Sequence, residues 1–195
     1  MDSLDVIVSV SVIVSVIVIV IVIVSVRECC LAFNEELFTS SMSLPAKSIW
    51  VNRPTLEQLY RPALTLVSHL GILFTDIGDD YLRATMPVDH RTHQPMGILH
   101  GGASLALAET MGSVGAYLCV DMKKYNVVGL EINANHIRSV SDGLVTGTAK
   151  PIHVGRSTQL WEIRITDEAG KLTCISRITI AVLEKAAAGT ATPTA

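Results

Sequence analysis

A chain of 195 residues has room for one domain with additional sequence at its ends. A net charge of -3 supplies no basic excess for nucleic acid and no acidic block of the kind that keeps a tail unfolded. Four cysteines, with Cys29 and Cys30 adjacent and no CxxC, read as free thiols in a reducing compartment and exclude a disulfide framework or a zinc site.

Val6 to Val26 contains only Val, Ile and Ser and is long enough to span a bilayer. Asp2 and Asp5 stand where a secretory signal carries positive charge, and no A-x-A cleavage pattern follows. Two readings stay open. The near-strict alternation suits translated simple-repeat DNA, with Met42 then the functional start. Alternatively the run is a membrane anchor, and Arg27 would keep the following domain on the cytoplasmic side. The location expected is therefore cytoplasmic, membrane-tethered only if residues 6–26 are expressed and inserted. Residues 27–53, with Thr39, Ser40, Ser41 and Pro45, read as a linker.

The domain is expected over residues 54–185. Thr55 to His69 reads as a helix capped by Thr55, with Leu56, Leu59, Tyr60, Leu64 and Leu66 as apolar positions and Pro62 as a blemish. Gly71 to Asp76 and Tyr81 to Val88 are strands joined by the turn Gly78-Asp79-Asp80. His90 to Leu99, with Pro95 and Gly97, is a loop. A long apolar helix runs from Gly102 to Val120. Four strands follow: Val127 to Arg138, Leu144 to His153, Thr158 to Asp167 and Leu172 to Leu183. Trp161, Ile163 and Ile165 alternate with Glu162, Arg164 and Thr166, the period of a half-buried strand. Residues 186–195 have the composition of a disordered tail. The pattern is α+β: one antiparallel sheet wrapped around one apolar helix that must be buried.

Between Ala103 and Val120 the only charged side chain is Glu109. A carboxylate inside an apolar helix is costly unless compensated, burial raises its pKa, and such groups gather at functional sites. From the helix alone, a structural Glu bonded to a neighbouring strand is an equal alternative. The segment Gln94-Pro-Met-Gly-Ile-Leu-His100-Gly101-Gly102 adds chemistry. Its glycines let a ligand approach the backbone, and the first helical N–H groups are unpaired at the positive end of the helix dipole. Gly101 N–H can then hold a developing oxyanion, as acyl transfer requires. Gln94 and His100 offer hydrogen bonds to the carbonyl, the leaving sulfur or a water. Ser113, one turn beyond Glu109, can orient the carboxylate or a water, or simply bond back to a helix carbonyl.

Gly101 and Glu109 are eight residues apart, about 12 Å along one helix. One carbonyl does not reach both in a single chain, so the expectation is a two-fold dimer with each site shared between chains. A second, basic cluster combines His136, Arg138 and Ser139 with His153, Gly155, Arg156, Ser157 and Thr158. Arginine forks and turn N–H groups suit the phosphates of CoA, although a solvated hairpin end would look the same. There is no HExxH, and His90, His93 and Asp89 sit in a loop, so no metal or other cofactor is expected.

Several long strings carry a resemblance: Ile77-Gly-Asp-Asp, Met86-Pro-Val-Asp89, Gln94 through Ser104, Ala108-Glu-Thr-Met-Gly-Ser113, Gly129-Leu-Glu-Ile-Asn-Ala-Asn-His136 and His153-Val-Gly-Arg-Ser157. Over roughly Pro54 to Glu184 the chain resembles the hotdog-fold thioesterases of the phenylacetate-degradation type. Within them it is most similar to the branch that contains 1,4-dihydroxy-2-naphthoyl-CoA hydrolase and the enterobactin-pathway proofreading thioesterase. The resemblance implies a hotdog fold, an acyl-CoA substrate with an aromatic acyl group, and Glu109 as nucleophile or general base. It implies Gly101 as the backbone donor and Gln94, His100 and Ser113 as supporting polar groups. Gly129, His136, Ile137, Arg138, Ser139, His153, Val154, Gly155, Arg156, Ser157 and Thr158 would line the CoA and acyl channel. Homodimers, commonly paired into tetramers, with sites between chains are implied as well. The departures are one extra residue near Lys123 to Asn126 and the Val/Ile run. A hotdog dehydratase pairing His100 with Glu109, and a non-catalytic acyl-CoA binding module, remain as rivals.

Overall fold

The computed structural model describes residues 48–51, 53–59 and 64–185. The expectations for Val6 to Val26, for most of the linker, for Tyr60 and Pro62 and for the tail fall outside those residues.

Two threonines start two short helices where one was expected. Thr55 Oγ1 accepts from the Gln58 N–H at 3.4 Å and Gln58 Oε1 accepts from the Thr55 N–H at 3.0 Å, opening α1 (Leu56–Leu59). Thr65 and Ser68 make the same reciprocal pair ahead of α2 (Leu66–His69). Each pair satisfies orphan N–H groups of a first turn, so the segment holds two start signals. Leu56, Leu64 and Leu66, expected as inward positions, are exposed, while Leu59 packs against the core.

The strands are β1 (Leu73–Ile77), β2 (Leu82–Pro87), β3 (Tyr125–His136), β4 (Leu144–Val154), β5 (Thr158–Thr166) and β6 (Leu172–Glu184). They form one antiparallel sheet in the order β1-β2-β4-β5-β6-β3. Alternate residues face inward: Leu82, Ala84 and Met86 from β2, Val145 and Ala149 from β4, Trp161, Ile163 and Ile165 from β5, Ile178 and Ile180 from β6. Each fully buried large side chain of this kind contributes about 1.5–3 kcal/mol. Against them lies α3 (Gly101–Leu118), which buries Ala103, Ser104, Leu107, Ala108, Met111, Gly112, Gly115 and Ala116.

The helix rests close to the sheet because three positions have no side chain. A Cβ at Gly112 would lie 2.4 Å from Ile178 Cγ2, one at Gly115 2.8 Å from the Trp161 ring, and one at Gly147 2.4 Å from Met111 Sδ. Met111 is wholly buried between helix and sheet.

An all-round apolar helix was expected to be covered all round. In this chain the sheet covers one face only. Leu105, Ala106, Glu109, Thr110, Ser113 and Val114 are half-buried and Tyr117 is exposed. Beside that face runs β3, an edge strand with Val128 and Leu130 exposed.

Trp50, placed by composition in the linker, belongs to the core. Its ring stacks on Trp161 with centroids 6.1 Å apart, and its Nε1–H donates to Gly78 O at 2.7 Å. The Val51 N–H donates to Leu118 O at 2.9 Å, so this segment closes the C-terminal end of α3. Among the described residues no helix is long and apolar enough to cross a membrane.

Candidate active site

The loop before α3 is ordered by its own backbone. Gln94 N–H donates to Ile98 O, Gly97 N–H to Gln94 O and Leu99 N–H to Val140 O, with a bridge between His93 and Leu99. Gly97 takes φ +73°, a conformation that favours glycine. His100 then caps the helix: its Nδ1 accepts from the Gly102 N–H at 2.8 Å, and its carbonyl accepts from Ala103 and Ser104. Gln94 Oε1 accepts from the Met96 N–H at 2.6 Å.

Two hollows flank the start of α3. A cleft of about 350 Å³ is lined by Gln94, Ile98, Gly101, Ser104 and the stretch His136 to Ser139. His136 lies over Gly101, where an added Cβ would meet its Nε2 at 2.6 Å. A second hollow of about 300 Å³ is lined by Leu66, Leu70, Ala103 and Ala106 together with Arg91, His93 and His100. Asp89 answers Arg91, whose hydrogen bonds hold that carboxyl well below the usual carboxylate range. His93 Nε2 meets Ser141 O at 2.9 Å.

Glu109 is half-buried, not enclosed as its apolar helix had suggested, because the open face of α3 carries it. Its carboxylate lies against β3 at Gly129, where an added Cβ would sit 2.9 Å from Oε1. A bulge in the pairing with β6 falls between Gly129 and Glu131. Ser113 Oγ donates to Glu109 Oε1 at 3.1 Å, so the serine orients the carboxylate. Because α3 is continuous, Gly101 N–H and Glu109 stand about 12 Å apart along it.

Residues 96–174 match the family model described as the thioesterase superfamily. The proofreading thioesterase EntH of Cronobacter sakazakii is 54% identical over 136 residues, 69% of this chain and 98% of that protein. The 1,4-dihydroxy-2-naphthoyl-CoA hydrolase of Escherichia coli is 54% identical over 136 residues, 69% of this chain and 99% of that protein. The chain belongs to the thioesterase superfamily. A mutant thioesterase from Pseudomonas aeruginosa has a crystal structure that superposes with a TM-score of 0.68 at 50% identity, covering 71% of this chain and all of that one. A thioesterase from Haemophilus influenzae gives 0.66 at 51% identity, covering 70% and 95%. The fold is the hotdog, and the protein is a thioester hydrolase.

In this thioesterase the basic cluster expected from sequence is not one cluster within the chain. His136 pairs with Cys174 and Thr158 with Ala181, seven residues apart on β6, or about 23 Å. His136, Ile137, Arg138 and Ser139 therefore stand at the helix-start end of the sheet, and His153, Val154, Gly155, Arg156, Ser157 and Thr158 at the other. The strand order separates them, since β6 and β5 lie between β3 and β4. Ser104 and Thr173 in the cleft, and Leu66, Leu70 and Arg91 in the second hollow, were not singled out from sequence as site residues. Ser104 had a legible signal, one helical turn beyond Gly101. The thiols of Cys119 and Cys174 are free, and burial pushes the first up to about 12 and raises the second, a poor setting for a nucleophile.

Proposed function

We propose that this thioesterase hydrolyses acyl-CoA thioesters at a site shared by two copies of the chain. The observation that carries the reading is the pairing of one Ser113-held carboxylate with a glycine helix start too distant to serve the same carbonyl. Gly101 N–H of one copy polarises the thioester carbonyl. Glu109 of the other acts as general base on water or attacks the carbonyl itself. As base, Glu109 takes a proton from water, the water oxygen bonds to the carbonyl carbon, and that proton passes to the sulfur as the C–S bond breaks. As nucleophile, it displaces CoA to form a glutamyl–acyl anhydride, which water then splits into the acid and free Glu109, releasing the proton that balances the CoA thiol.

Three features support the two-fold arrangement. The open face of α3 carries Leu105, Ala106, Val114 and Tyr117 around Glu109, the neighbouring edge strand β3 exposes Val128 and Leu130, and both elements are long enough to pair antiparallel. Such pairing also moves the two halves of the basic cluster toward each other, because the His136 end of one β3 then faces the Val127 end of its mate. Arg138 and Arg156 are read as the phosphate-binding cations. Two such dimers can pair as a tetramer. The name of one relative, the 1,4-dihydroxy-2-naphthoyl-CoA hydrolase, favours an aromatic acyl group of that kind, which would put the reaction in menaquinone biosynthesis. The domain proper is assigned to residues 48–185, since Trp50 is part of its core, and a cytoplasmic location rests on the free-thiol cysteine usage.

Mixed dimers test the sharing. A Glu109→Ala chain and a Gly101→Pro chain are each expected to be inactive in free-thiol release over an acyl-CoA panel. The mixture should regain one intact site in each heterodimer, and absence of any recovery defeats the arrangement. Wild type that releases thiol from no acyl-CoA defeats the reading of substrate.

A further inference from the structure

The buried polar side chains among the described residues are Thr92, Ser104, Gln159, Thr173 and Ser176. All but one are satisfied. Thr92 Oγ1 donates to Pro87 O at 2.9 Å, Thr173 Oγ1 to Ile165 O at 3.0 Å and Ser176 Oγ to Asn133 O at 2.7 Å, while Gln159 Oε1 accepts from Trp161 Nε1–H at 3.0 Å. Ser104 is 3% exposed, and its hydroxyl has no hydrogen-bond partner among the described residues. Every side-chain oxygen or nitrogen that is sealed from solvent has a partner there. Ser104 Oγ is therefore not sealed, and it opens into the cleft of about 350 Å³ that Ser104 lines. A helix hydroxyl commonly bonds back to the carbonyl four residues earlier. Thr110 does so, to Ala106 O at 2.7 Å, and Ser104 does not. An unpaired hydroxyl at a buried position costs stability that alanine would not.

The same cleft holds another unpaired donor. Gly101 N–H, three residues earlier on α3, has no acceptor among the described residues. The next three N–H groups of the helix are taken, Gly102 by His100 Nδ1 and Ala103 and Ser104 by His100 O. Helix side chains tilt toward the N-terminus, so the Ser104 hydroxyl leans back toward Gly101. The helix dipole favours negative charge at this end, which turns the hydroxyl proton toward an incoming oxygen. Thr173 Oγ1, also in the cleft, has already given its proton to Ile165 O. We infer that Ser104 Oγ–H donates, beside Gly101 N–H, to the carbonyl oxygen of the thioester and stabilises the oxyanion formed on attack. The inference rests on the acyl-CoA reading and deepens it. The carbonyl electron pair moves onto that oxygen as water or Glu109 of the other copy attacks, and returns as the C–S bond breaks. Ser104 keeps its proton throughout.

Ser104→Ala in the full chain tests this in three ways. Its thermal unfolding midpoint should equal or exceed that of wild type, because no bond within the fold is lost. A variant clearly less stable, or unfolded, overturns the claim that the hydroxyl is unpaired. In thiol release from the best substrate of an acyl-CoA panel, kcat should fall on the order of 100-fold with KM within about threefold, the signature of a lost oxyanion donor. The third readout needs no turnover. An aryl ketone analogue of the substrate carries a CH2 between a 13C-labelled carbonyl and the CoA sulfur. Its carbonyl resonance should lie further downfield on wild type than on Ser104→Ala, since each donor polarises the carbonyl. A stable Ser104→Ala with wild-type kcat, or an unchanged resonance, overturns the donor role and leaves the acyl-CoA reading standing. A wild type that releases thiol from no acyl-CoA overturns the substrate reading and the donor role together.

Discussion

A single methyl group at Gly129 would reach the candidate carboxylate without touching the core. Gly129 is not among the positive-φ glycines, so alanine fits its backbone. The new Cβ would lie 2.9 Å from Glu109 Oε1, and the next nearest atoms belong to the same carboxylate, at 3.7 and 3.8 Å. Ordinary contact begins near 3.4 Å, so the carboxylate must withdraw by about 0.5 Å. Because it is the free end of a flexible side chain, the fold loses little. The reaction is less forgiving: a misplacement of about 1 Å costs on the order of 100-fold, so half of that predicts about a 10-fold fall in kcat. Gly129→Ala should therefore keep its melting temperature within about 2 °C and show slower thiol release at saturating acyl-CoA. A variant with wild-type kcat would refute the placement of Glu109 at this strand. Loss of activity in step with loss of stability would refute the claim that the methyl acts on the carboxylate alone.

Ser113→Ala removes the 3.1 Å donor to Glu109 and is expected to lower kcat about 3- to 10-fold with KM little changed, read in the same assay. Trp50→Ala should cost about 3–5 kcal/mol in urea unfolding, because the ring is buried, stacked on Trp161 and bonded to Gly78 O. An unchanged midpoint would show that the segment before α1 is dispensable. Gly112→Ala pushes a methyl to 2.4 Å from Ile178 and should destabilise by about 1–3 kcal/mol in thermal unfolding. The Cys119 thiol is raised from 9.0 to about 12 in the fold, so the folded chain holds its proton where the unfolded chain has lost it. That contribution to stability is complete below pH 9 and disappears as pH rises toward 12. Unfolding midpoints measured across that window should fall less steeply in Cys119→Ala than in wild type.

Glu109 was legible because charge in an apolar helix needs a reason, and the helix start was legible because two glycines follow a histidine. The strands were legible from alternation, as in Trp161, Ile163 and Ile165. What escaped depends on order and coverage. Nothing local in His136 or His153 says that two strands separate them, and composition cannot tell that β3 is an edge. A helix apolar all round does not reveal whether its own chain or a second copy covers each face, which is why Glu109 read as buried. Thr65 and Ser68 already formed a second start signal inside the segment taken as one helix. Trp50 was misplaced because its neighbours resemble a linker, while its partner, Trp161, lies more than a hundred residues away.

The three vacant side-chain positions under α3 act as detents. Ile178 sits in the notch at Gly112, Trp161 in the notch at Gly115, and Met111 projects into the notch at Gly147. Sliding the helix by one residue, about 1.5 Å, would drive all three out of register at once. The axial coordinate of Glu109 is thus dictated by contacts on the hidden side of the helix. Random variation could tune the exposed residues around the carboxylate freely, whereas moving the carboxylate itself would require recutting several notches together.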